Sequence, residues 1–145
     1  MITSRPSDLF IVTAACAVLS ACSLPRDPSG TQDRVERSGT LRLGIVEGAS
    51  IDPPSRQTLA RLTERTGARP EIVRGDSEAL LTQLKRGKLD LVYGEFAQSS
   101  PWSKEVHFST AQGAVGKVPK GVPAPRFAAM NGENGWIMAV GEASR

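Results

Sequence analysis

Histidine is nearly absent from this chain: His107 is the only one. With one imidazole there is no histidine pair at metal-ligand spacing. No serine, histidine and acid arrangement is recognisable either, so catalysis finds little support, and no cofactor is implied. A single histidine beside a strand reads as structural. Cysteine is almost as scarce, with Cys16 and Cys22 alone. Charge of one sign is lacking too. The net charge of +3 is mild, and basic residues alternate with acidic ones. A nucleic-acid footprint needs a clustered basic patch, so nucleic acid is excluded as a partner. No internal repeat or low-complexity block occurs.

Long apolar runs are also missing. Leu9 to Leu19 is an uncharged stretch of eleven residues. That is too short for a membrane span and fits the apolar core of a signal peptide. It ends in Leu19-Ser20-Ala21-Cys22, the pattern of a bacterial lipobox, in which small residues admit the peptidase and the thiol is acylated. Residues 1–21 are therefore expected to be removed, leaving Cys22 as a lipid-bearing N-terminus. Stable anchoring needs more than one acyl chain. Cys16 leaves with the signal peptide and Cys22 is lipidated, so no disulfide is expected. The protein then lies outside the cytoplasm, periplasmic or at the cell surface, and held to a membrane. Residues 22–34 hold Pro25, Pro28, Ser29 and Gly30 without periodicity and read as a flexible tether. Residues 35–145 remain for one domain that must rest on its apolar core.

That domain reads as alternating strands and helices. Leu41, Leu43 and Ile45 alternate, with Val46, as a central strand. Pro53 and Pro54 suit a helix start, and Leu59 and Leu62 mark one face of a helix over Ser55–Thr66 that Gly67 ends. Glu71–Val73 predicts a short second strand. Asp76 or Ser77 suits the cap of the next helix, with Glu78 in its first turn. Leu80, Leu81 and Leu84 give that helix an apolar face, and Gly87 closes it. Leu89 to Tyr93 is the third strand. The order β-α-β-α-β predicts a mostly parallel sheet flanked by helices. Farther on, Gly113–Val118 and Arg126–Met130 predict a hairpin. Gly135–Ala143 predicts a closing helix with Trp136, Ile137 and Val140 inward and Asn134 at its cap.

Three segments carry a family resemblance. Gly39-Thr40-Leu41-Arg42-Leu43-Gly44-Ile45-Val46-Glu47 resembles the opening strand of bacterial extracellular solute-binding proteins of family 3, the ABC-importer receptors of the type 2 periplasmic binding fold. The run from Leu84 through Gly87-Lys88-Leu89-Asp90-Leu91-Val92 resembles their next conserved segment. Ser100-Pro101-Trp102-Ser103-Lys104-Glu105-Val106-His107-Phe108-Ser109 resembles a third. Order and spacing agree from about Gly39 to Ser109. Full members have two lobes, and Phe127-Ala128-Ala129-Met130-Asn131-Gly132-Glu133-Asn134-Gly135-Trp136 resembles the strand and helix that return from the second. Only seventeen residues, Thr110 to Arg126, separate the outgoing and returning segments. The resemblance therefore implies a single lobe, with the second replaced by a hairpin. It also implies a small-molecule ligand and a membrane transport system as partners. The alternative is an interaction module that docks on a membrane or envelope protein.

In open parallel sheets, ligands sit beyond the carboxyl ends of the strands, where strand order reverses. Three loops meet that condition: Glu47–Ser50, Gly75–Ser77 and Glu95–Gln98. The candidate ligand-binding residues there are Glu47, Asp76, Ser77, Glu95, Gln98 and Trp102. Asp76 and Ser77 also suit helix caps, Glu95 can face cleft or solvent, and Trp102 can pack its own turn. Amino-acid-binding members of the family place a threonine and a carboxylate-clamping arginine in this region. Here Ala97 and Trp102 fall at those positions, so the clamp is absent. Glu47 and Glu95 suit a cationic or hydroxyl-bearing ligand better. Lys85, Arg86 and Lys88 read as a solvated helix end. Lys117, Lys120 and Arg126 form a basic group that would suit a partner surface such as anionic lipid.

Overall fold

Leu41, Leu43 and Ile45 lie on one face of the first strand, β1 (Thr40–Val46), and each is at most 1% exposed. This alternation fixes which side of the sheet carries the larger core. In the computed structural model, which describes residues 27–145, the elements follow in chain order. They are α1 (Thr31–Ser38), β1, α2 (Pro53–Thr66), β2 (Arg69–Gly75), α3 (Ser77–Lys85), β3 (Leu91–Phe96), a short 3₁₀ turn (Pro101–Lys104), β4 (Val106–Phe108), β5 (Ala124–Met130) and α4 (Asn134–Ala143). Among the described residues there is one sheet, in the order β2-β1-β3-β5-β4. β1 pairs in parallel with β2 and β3, and β5 runs antiparallel between β3 and β4. The architecture is the expected single α/β lobe. The chain steps from β1 outward to β2, then back across β1 to β3, so strand order reverses between β1 and β3.

The two faces have separate cores. α1, α2 and α4 bury Val35, Leu59, Leu62, Trp136 and Val140 against Leu41, Leu43, Ile45, Leu91, Tyr93 and Phe127. α3 buries Leu80, Leu81 and Leu84 against Val92, Phe96, Val106, Phe108 and Ala128. Trp136 is fully buried, and its indole N–H donates to the Asp90 carbonyl at 2.8 Å. Truncating such a side chain to alanine costs about 3–5 kcal/mol.

Several expectations need correction. The tether does not extend to Arg34, because Thr31–Ser38 is helical. Asp27 and Ser29 are already bonded to the start of α4. Local composition concealed this, since the partners lie about a hundred residues away. The third strand begins at Leu91, not Leu89. The Asp90 carboxylate turns back to accept the Arg42 backbone N–H at 2.9 Å, while Arg42 and Arg34 close on it with their guanidinium groups. Burial would raise the Asp90 pKa, but these hydrogen bonds outweigh it and hold the carboxyl below its ordinary value. The strand continues to Phe96 because β5 pairs with it there.

The expected pairing of Gly113–Val118 with Arg126–Met130 does not form among the described residues; β5 pairs antiparallel with β4 instead. Gly113–Val118 forms no strand, since Gly113 and Gly116 take φ of +65° and +99°, where an extended run cannot continue. Only the second expected strand forms, as β5. Asn134 is the first residue of α4 rather than its cap. The Asp27 carboxylate receives the Gly135 and Trp136 N–H groups at 2.7 and 3.2 Å.

Candidate functional site

β1 ends in a tight turn in which the Ala49 N–H donates to the Val46 carbonyl, with Gly48 at φ +81°. The Glu47 N–H donates to the Gly75 carbonyl at 2.9 Å, so its backbone extends the β1–β2 ladder and is held in place. The loop continues to Asp52, whose carboxylate accepts the Ser55 N–H at 2.8 Å and caps α2, with Pro53 and Pro54 in the first turn. The Tyr93 hydroxyl donates to the Ser50 carbonyl at 3.3 Å and ties the loop to β3. On β3, Leu91, Tyr93 and Glu95 share one face; the first two are buried and Glu95 is exposed at the carboxyl end. Pro125 of β5 stands opposite Glu95 in the sheet.

These residues enclose an open cavity of about 690 Å³, lined by Glu47, Ser50, Asp52, Tyr93, Glu95 and Pro125 among others. It lies where the β1–β3 reversal predicts a ligand position. Its chemistry is acidic. Asp52 is committed to its helix, but Glu47 and Glu95 pair with no cation among the described residues. Tyr93, packed on Phe127 at 5.2 Å between ring centroids, forms an aromatic floor. A cation would meet two carboxylates and an aromatic ring; an anion would be repelled.

Of the six residues singled out by sequence, the structure brings only Glu47 and Glu95 together. The sequence suggests a loop at Glu95, but the residue belongs to β3. Asp76 caps α3, its carboxylate accepting the Ala79 N–H at 2.9 Å. Ser77 is the first residue of that helix, on the opposite side of the sheet from the acidic cavity. Trp102 packs against the core on the α3 side and donates its indole N–H to Glu78 at 2.9 Å. It is a packing residue there and lines no part of the acidic cavity. Gln98 lines two other cavities, of about 260 and 530 Å³. Tyr93 was missed as a site residue, although its alternation with Leu91 and Glu95 carried the signal. Pro125 could not be read from sequence, because only the long-range β3–β5 register brings it to the site. His107 lies exposed on the short strand β4, away from Glu47 and Glu95.

No protein-family model matches the chain, and no curated protein matches it. Solved structures do. A single-substitution variant of the arginine-bound form of domain 1 from TmArgBP superposes with a TM-score of 0.64 and 17% identity, over 79% of this chain and 95% of that one. A mutant of ArgBP from T. maritima gives 0.58 at 10% identity, over 78% and 91% of the two chains. The VFT2 domain of BvgS from Bordetella pertussis gives 0.53 at 11% identity, over 81% and 91%. At these identities the likeness shows the fold: this chain has the α/β fold of a single lobe of a periplasmic solute-binding protein.

Proposed function

We propose that this chain is a lipid-anchored, extracytoplasmic solute-binding lobe that holds a small cationic ligand between Glu47 and Glu95 and works with a membrane transport system. One observation carries the reading: the two glutamates, without cationic partners among the described residues, converge on the cavity at the strand-order reversal. The role is binding rather than catalysis. The TmArgBP relative supports it, since an isolated domain 1 of this fold was obtained in its arginine-bound form. The missing carboxylate clamp sets this chain apart. A ligand read by its cation alone needs no carboxylate, so agmatine should serve as well as arginine.

The lipid anchor rests on Cys22, which lies outside the described residues. Five residue steps separate Cys22 from Asp27, at most about 18 Å of extended chain. Asp27 is bonded to the start of α4, close to Met130 and therefore at the amino end of β3. The acidic cavity is at the carboxyl end. An anchor at Cys22 would thus leave the cavity facing away from the bilayer, open to solute.

A thermal-shift screen of the chain with agmatine, arginine, putrescine and acetate tests this reading. Anything bound only by the folded state raises the melting temperature. The cations should raise it in the wild type and not in Glu47→Gln/Glu95→Gln, whereas any acetate response should be the same in both. No response to any cation would remove the reading.

The exposed edge strand β2 favours a second reading, an interaction module for an envelope protein. Ile72 and Val73 there are 56% and 42% exposed. An exposed strand edge can accept a partner strand. Under that reading an envelope protein co-purifies with the wild type and is lost in Ile72→Lys, and small cations leave the melting temperature unchanged.

A further inference from the structure

Lys117, Lys120 and Arg126 do not form the single basic surface that their proximity in sequence suggests. Lys117 and Lys120 are exposed, but Arg126 is only 2% exposed. Its Nε donates to the Phe96 carbonyl at 3.1 Å and its Nη1 to the Ser109 carbonyl at 2.6 Å. Both acceptors are neutral. The ion pairs among the described residues join Arg34 and Arg42 to Asp90, Arg65 to Glu142 and Lys85 to Glu105. Arg126 has no carboxylate partner among them. A guanidinium stays protonated in proteins, so this is a buried positive charge without a counter-charge. Such burial is costly unless the charge is paired.

The free side of the guanidinium is not sealed in protein. Nη2 donates to nothing among the described residues, yet the one fully occluded side-chain polar atom without a partner among those residues is Ser55 Oγ. Nη2 therefore retains access to solvent. Arg126 lines a cavity of about 530 Å³ together with Gln98, Thr110, Lys117 and Ser144. No carboxylate residue lines it. Two cations, an amide and two hydroxyls meet there, beside the glycine-containing loop after β4. With Nε and Nη1 both engaged, Nη2 is the guanidinium donor left to reach an anion in the cavity.

We propose that this cavity is a binding site for a small oxyanion, a carboxylate or phosphate group, gripped by Arg126 and flanked by Lys117 and Gln98. It is separate from the acidic cavity and does not depend on Glu47 or Glu95. The anion would supply the counter-charge that Arg126 lacks. It would also tie the loop after β4 to β5.

The test is calorimetry on the full chain with inorganic phosphate and, separately, acetate, at constant ionic strength against sodium chloride. Saturable binding of at least one of the two is expected, and which of them binds tells phosphate from carboxylate. Arg126→Met should abolish it. Lys117→Glu changes an exposed side chain and should weaken it at least about tenfold, which decides the matter even where Arg126→Met does not fold. Absence of saturable binding by both anions overturns the proposal. So does equal affinity in Lys117→Glu and wild type. Binding to anionic phospholipid vesicles without response to either salt would return the lysines to a surface role and overturn it as well.

Discussion

The Asp27 carboxylate lies 2.7 Å from the Gly135 nitrogen, bridging 108 positions of sequence to cap the first turn of α4. The exchange is reciprocal. Glu133, the residue before α4, accepts the Ser29 and Thr31 N–H groups at 2.7 and 2.9 Å, at the start of α1. Each helix start thus receives a carboxylate from the other's leading segment, and the acidic groups face the positive helix ends. Loss of a cap costs about 0.5–2 kcal/mol. Asp27→Ala should lower stability in chemical denaturation by about 1–2 kcal/mol, and a fragment beginning at Gln32 should melt lower than one beginning at Cys22. Equal melting of the two fragments would show that the bridge contributes nothing.

Acid should unfold the lobe through Asp90 and Glu133. Burial raises the pKa of each, but Arg42 and Arg34 hydrogen bonds at Asp90, and the Ser29 and Thr31 N–H groups at Glu133, hold both below their ordinary values. Groups depressed in the folded state contribute stability above their unfolded pKa values, about 3.9 and 4.3, and lose it as pH falls through the folded ones. The melting temperature should therefore be level down to about pH 5 and drop steeply below about pH 4. Asp90→Asn should be less stable at neutral pH and less sensitive to acid. A melting temperature that rises on acidification would contradict this assignment.

Gly94 should tolerate no side chain. A Cβ there would lie 2.7 Å from Val46 Cγ2 and 3.0 Å from the Phe96 ring, both fixed in the sheet. Overpacking of this kind costs about 1–3 kcal/mol. Gly94→Ala should lose that much stability and disturb the ends of β1 and β3, where Glu47 and Glu95 stand. A variant as stable as wild type would mean that the two strands can separate freely.

The parallel half of the lobe was legible because its signals are local. Leu41, Leu43 and Ile45 alternate, Leu80, Leu81 and Leu84 share a helical face, and Asp76 precedes its helix as a cap should. The antiparallel half was less legible because partners far along the chain decide it. β5 lengthens β3 to Phe96 and carries Glu95 out of the expected loop. Asp27 reaches α4 from a segment whose composition suggests only a tether. The candidate site was half legible for the same reason. Glu47 and Glu95 follow from the strand ends, whereas Trp102 is taken up by Glu78 and the α3 core, a contact that no spacing rule reveals. Arg126 looked like surface charge until the fold buried it.

The proposed lipid anchor requires that Cys22 be acylated after cleavage following Ala21. Cys22→Ala should yield an uncleaved or freely soluble protein, read by intact mass and membrane fractionation. A Cys22→Ala protein that still pellets with membranes at the mature mass would contradict anchoring at this thiol.

A single lobe would offer one wall to the proposed ligand, so solvent would compete for each hydrogen bond and the net value would stay at about 1 kcal/mol apiece. A few such contacts total about −4 kcal/mol before the cost of association is counted, so the affinity should be about 1 mM or weaker. Calorimetric titration of the monomeric chain with agmatine, repeated on the Glu47→Gln/Glu95→Gln variant, measures this directly. A dissociation constant of about 1 mM or weaker in the wild type, with no saturable heat in the double variant, is the expected result. Submicromolar binding by the monomer, or binding unchanged in the double variant, would contradict it.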